Sequence, residues 1–103
     1  MKQYTTLEQT AKLIELGFEK PRYYCADKYT IIYTGFEIIN YSIGELIEML
    51  PGRINGIDLT IERYYAFEQW LIYYDASQYF TKQTELIYAL YDMAVKLKEE
   101  GVI

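Results

Sequence analysis

The apolar residues of this chain keep two different periods, and chain breakers fix where each can operate. After the Asn55–Gly56 turn signal, Ile57, Leu59 and Ile61 alternate with Asp58, Thr60 and Glu62, the pattern of a strand with one buried face. Such a strand needs partner strands and a covering layer on one side only. Three other stretches have helical apolar spacing, and Gly17, Pro51–Gly52 and Gly101 stop them in turn. The chain is therefore restricted to short elements, with helices laid over a sheet.

The first predicted helix runs from Thr6 to Leu16. Thr5 with Glu8, or Thr6 with Gln9, has the spacing of a capping box. Gly17 supplies a left-handed residue at the end, and Phe18 can fold back on Leu13. Glu8, Lys12 and Glu15 share one narrow face, while Leu7, Thr10, Ala11, Leu13, Ile14 and Leu16 take most of the rest. That distribution predicts a largely buried helix. Pro21 prevents the helix from resuming. Tyr23, Tyr24, Tyr29, Ile31, Ile32 and Tyr33 then favour two short strands about a turn at Ala26–Asp27–Lys28. Residues 36–40 either add a brief strand or only connect.

The segment YSIGELIEMLPGRI has the outline of a DNA-reading helix. Ser42 is spaced as a cap with Glu45 at the third helical position, and Tyr41 with Leu46 forms a hydrophobic staple. Ile43, Leu46, Ile47 and Leu50 make the inner stripe, and Gly44, Glu45, Glu48 and Met49 face outward. A recognition helix would present Arg, Lys, Asn or Gln to base edges. Glutamates there mark a structural helix instead. The strand over 57–62 has its predicted partner in EQWLIYYD (68–75), with Trp70, Ile72 and Tyr74 on one face and Gln69, Leu71 and Tyr73 on the other. Residues 63–67 join them without a glycine, so the register is open. The last helix is predicted over 82–100, with Leu86, Leu90, Met93 and Leu97 inward. Gly101 ends it with Val102 folding back on Leu97, and Asp92 and Lys96 are spaced to pair.

The predicted order is thus α-ββ-α-ββ-α, a small single domain of α+β class spanning residues 1–103 in which helices pack on an antiparallel sheet. A length of 103 residues suits one core. No apolar stretch approaches the ~20 residues of a membrane span. The first residues lack the apolar segment of a secretory signal, so cytoplasmic residence is the expectation. The single cysteine, Cys25, has no partner for a disulfide within the chain and reads as a buried thiol.

Chemistry is narrowed further by what is missing. The chain has no histidine, which removes the commonest general base and metal ligand. One cysteine cannot form a zinc-binding thiolate cluster. Ser/His and Cys/His nucleophiles are excluded within the chain. Its carboxylates are scattered along helical faces, so the expectation is a protein without catalytic, cofactor or metal residues. The net charge of −5 disfavours a partner that is tracked through its phosphates. Lys20, Arg22 and Lys28 form a small positive cluster with no glycine-rich phosphate loop beside it.

Two groups of residues are candidates for contact with a partner. On the last helix, Tyr88, Tyr91 and Val95 lie nearly opposite the leucine stripe. Either that helix is covered on both sides, or this second arc receives a protein partner or a second copy of the chain. The second group follows from the 13 tyrosines. The pairs Tyr23–Tyr24, Tyr64–Tyr65 and Tyr73–Tyr74 should each bury one ring and expose the other. Either these rings complete the sheet packing, or Tyr64, Tyr65, Trp70 and Tyr73 with Arg63 or Arg53 form a binding face for a peptide, a sugar or stacked bases.

The stretches TTLEQTAKLIELGFEKP, YSIGELIEMLPGRI and ELIYALYDMAVKLKEEG resemble small proteins found in gut Bacteroides genomes and their phages or prophages. The shared signatures are helix signatures. The resemblance implies an intracellular accessory protein of a mobile element and carries no catalytic residue to this chain. The expected function is non-enzymatic protein–protein interaction. The rival is a nucleic-acid-binding regulator resembling a winged helix, and third comes a small enzyme using Tyr, Lys, Asp or Glu.

Overall fold

The computed structural model describes residues 2–19, 40–75 and 78–103. The predicted first strand pair, the segment 36–39, Cys25 and the cluster Lys20, Arg22 and Lys28 lie outside the described residues.

Helix α1 (Leu7–Glu15) is nucleated by Thr6, whose hydroxyl accepts from the Gln9 amide while the Gln9 side chain accepts from the Thr6 amide. Of the two capping-box registers, Thr6 with Gln9 is the one adopted. Gly17, at φ +100°, and Phe18 close the helix on the carbonyls of Ile14 and Leu13, a Schellman ending. The expectation of a largely buried helix is overturned. Only Thr10 and Leu13 are buried, and Leu7 is 67% exposed with Ala11 and Ile14 also facing solvent. One narrow strip makes the contact because Thr10 is held in a polar network, where its hydroxyl donates to Asn40 Oδ1 (2.6 Å) and neighbours that of Thr5 (2.7 Å).

Helix α2 (Ile43–Met49) starts at Ser42 with the predicted capping box. Glu45 is thereby drawn back onto the cap and is only 6% exposed, so it does not point outward as expected. Ile47, placed on the inner stripe by spacing, is 36% exposed.

The alternating segment is two strands, not one. Strand β1 (Arg53–Ile54) pairs with β2 (Ile57–Asp58) across the Asn55–Gly56 turn, where both residues have positive φ. Leu59 then donates its amide to the Gly52 carbonyl, and the chain continues as β3 (Thr60–Tyr64). Leu59 and Ile61 pack on the core, but Ile57 is exposed. A 3-10 turn (Tyr65–Phe67) leads into β4 (Gln69–Tyr73). In place of a glycine, Glu68 takes the left-handed conformation at φ +50°.

A further strand, β5 (Phe80–Gln83), completes an antiparallel sheet ordered β3-β4-β5, so the predicted pair is a triplet. Helix α3 (Leu86–Glu99) accordingly begins later than predicted. It lies across one face of β4 and β5 and meets α2 and α1 on its other sides. Leu86, Ile87, Ala89, Leu90, Met93, Ala94 and Leu97 are all buried on it, together with Leu13, Leu46, Leu50, Ile72 and Tyr74. Gly101 and Val102 end it as predicted, with the Val102 amide on the Leu97 carbonyl (2.8 Å). The predicted Asp92–Lys96 pair is not formed. Asp92 accepts from Gln83 of β5 (2.8 Å), and Lys96 lies 3.9 Å from Glu100. The fold is α+β, with helices on one face of the three-stranded sheet.

Candidate functional site

The register of the sheet decides what each face offers. Ile61, Ile72 and Thr81 stand in one row, and Arg63, Trp70 and Gln83 in another. Both rows point toward α3, since Ile72 is fully buried, Ile61 and Trp70 pack on the core, and Thr81 and Gln83 bond to α3 residues. By the alternation of a strand, the rows between them face away from the helices. These are Thr60–Tyr73–Phe80, Glu62–Leu71–Lys82, and Tyr64–Gln69. No helix covers this second face among the described residues, and neither Leu71, Tyr73, Phe80 nor Tyr64 joins the core.

The open face is rich in rings. Tyr64 meets Phe67 edge-on with centroids 5.0 Å apart, and Tyr73 lies 6.2 Å from Phe80. Phe67 is 65% exposed, Tyr64 44% and Phe80 36%. Between the two ring pairs runs a groove of about 360 Å³ lined by Tyr64, Phe67, Gln69, Leu71, Phe80 and Lys82. The Tyr73 hydroxyl donates to Glu62 Oε2 (2.8 Å), which fixes that carboxylate and, through the same bond, raises the phenol's pKa above its ordinary value. The groove has an apolar floor and one ammonium, that of Lys82, and the same sheet face carries the Glu62 carboxylate on the opposite side of Leu71.

The second group of sequence candidates is split by this geometry. Tyr64 and Tyr73 lie on the open face, whereas Trp70 and Arg63 lie on the inner one. Arg63 is stacked 5.4 Å over the Trp70 ring and 5.7 Å from that of Tyr65. Arg53 sits on the small hairpin in a 2.6 Å ion pair with Asp58. Tyr64 and Tyr65 are both exposed, against the expectation of one ring in and one out, because the strand ends at Tyr64 and the alternation stops there. Tyr73–Tyr74 does divide, with Tyr74 buried and Tyr73 half-buried. Phe67, Leu71, Phe80 and Lys82 were not foreseen as site residues. The signal the sequence held was the placement of Leu71 on the strand face opposite Ile72.

The first group, Tyr88, Tyr91 and Val95, is half-buried and packs on the core. The Tyr88 ring lies 5.1 Å beneath the Lys2 ammonium, which also donates to its hydroxyl (2.6 Å). Among the described residues no cluster of carboxylates or cysteine suits a metal ion, and no helix is long and apolar enough to cross a membrane. No family model, curated protein or solved structure matches the chain.

Proposed function

We propose that this protein is a non-enzymatic interaction module that receives another protein chain on the open face of its three-stranded sheet. The observation that carries this reading is the exposed rings of Tyr64, Phe67 and Phe80 grouped around half-buried Leu71 and Tyr73, on a sheet face that no helix covers among the described residues. Monomeric surfaces rarely leave such a ring cluster contiguous, and aromatic anchors dominate protein interfaces. Burial at about 25 cal/mol per Å² makes covering these rings the strongest driving force on this surface. The reading moves the expected contact away from Tyr88, Tyr91 and Val95, which are already half covered. A nucleic-acid partner is disfavoured, because the face balances Lys82 with Glu62 in a chain of net charge −5. The resemblance to small proteins of gut Bacteroides genomes and their phages implies, as part of this proposal, a cytoplasmic accessory protein of a phage or mobile element.

A photo-cross-linking amino acid at position 67, in the cell that makes the protein, tests the docking reading. A protein adduct that disappears on Leu71→Asp is expected, and the same probe at the exposed Ile57 should give none. Adducts with nucleic acid alone, or no adduct at 67, would overturn it.

A further inference from the structure

We infer that the chain docking on this face is a second copy of the same protein, related by a two-fold axis running along β4. The inference rests on the docking reading above and adds the identity of the partner. Its basis is the row Glu62–Leu71–Lys82, in which opposite charges stand one strand to each side of a central leucine. Neighbouring strands are about 4.8 Å apart, so the two charged residues are equidistant from Leu71. Rotation about an axis along β4 exchanges the two sides of the face. It sets Glu62 of each copy against Lys82 of the other, Leu71 on Leu71, Tyr73 on Tyr73, and Phe80 over Thr60. The other in-plane two-fold through this row, across the strands, sets Glu62 on Glu62 and Lys82 on Lys82 and is rejected by like charge. One isologous arrangement is thus self-complementary in both charge and apolar surface.

Two further observations fit this occupant. No ion pair joins Lys82 or Glu62 to another described residue, so both charges are available to a partner. The carboxylate is already oriented by the Tyr73 hydroxyl. Face-to-face sheets pack about 10 Å apart with strand directions within about 30° of each other, which an axis along β4 satisfies, and the Glu and Lys side chains together bridge that gap.

Charge exchange measured by sedimentation tests the arrangement. Wild-type protein should dimerise, and Glu62→Lys or Lys82→Glu alone should weaken its self-association at least about tenfold. Mixing the two variants should restore a 1:1 dimer, because every facing pair is again opposite in charge. Circular dichroism should show both variants folded, since both side chains are exposed. A wild-type chain that stays monomeric to about 1 mM, or variants that do not recover on mixing, would overturn the inference. The docking reading would survive that result if the probe at position 67 still captured a different protein, and would fall with it if the probe captured none.

Discussion

Tyr41 and Tyr74 each bury a phenol and donate its hydroxyl to a backbone carbonyl, that of Glu19 and that of Pro51 respectively. Burial pushes both pKa values up to about 12, with the Glu45 carboxylate adding to the effect at Tyr41. Between the ordinary tyrosine value near 10 and about 12 the unfolded chain loses these protons while the folded chain keeps them. Stability contributed by the two groups is therefore complete below about pH 10 and declines as pH rises toward 12. Urea midpoints at a series of alkaline pH values should show that decline, and a flat profile would contradict it. Tyr74→Phe should lower stability by about 1 kcal/mol at neutral pH, the net worth of one hydrogen bond, and make the alkaline decline shallower. The threonine network behaves differently, because it is buried and shared. Thr10→Val should remove one buried hydrogen bond from each of Asn40 Oδ1 and Thr5 Oγ1 and cost about 1–3 kcal/mol in denaturant unfolding.

At the level of elements, what could be foreseen was whatever local rules decide. The ends of α1 and α3 follow from Gly17 and Gly101, and the start of α2 follows from Ser42 and Glu45, because each involves neighbours within a turn or two. Gly17→Ala isolates such a rule. A Cβ there would meet only the end of the Lys98 side chain, Cε at 3.7 Å and Nζ at 4.0 Å, both ordinary contacts, so the cost is conformational, from φ +100°. About 1–2 kcal/mol is expected from the lost left-handed freedom, measured as a shift of the urea midpoint. Strand β5 was illegible for the opposite reason. Its inner residues, Thr81 and Gln83, are polar and meet α3 through hydrogen bonds, so no apolar alternation announces a strand. The turn at Glu68 was hidden too, since a non-glycine residue takes the left-handed position. Half of the candidate face was lost with these elements. Tyr64 and Tyr73 could be named from their strand propensity, but Phe80 and Lys82 join them only through the register of β4 with β5.

Across the whole molecule, the question is which part of the apolar surplus belongs to the core. Helix α3 is held by the sheet on one side and by α2 and α1 on others. Its second arc, Tyr88, Tyr91 and Val95, is half covered, and burial raises the Tyr91 pKa. The amino-terminal segment adds to that cover, for the Lys2 amide donates to Glu85 Oε2 and its ammonium to the Tyr88 hydroxyl. The open sheet face has no such cover among the described residues. Substitution should separate the two surfaces by what each one damages. Tyr91→Asp removes packing and places a charge beside the core, so it should cost about 2 kcal/mol, or roughly 10 °C in the thermal midpoint. Phe80→Ser should change the stability of the monomer by no more than about 0.5 kcal/mol, as for other exposed sites. It should nevertheless abolish the protein adduct formed at position 67. The reverse outcome, a tolerated Tyr91→Asp with a Phe80→Ser that unfolds the chain, would return the contact to α3 and make the sheet face part of the core.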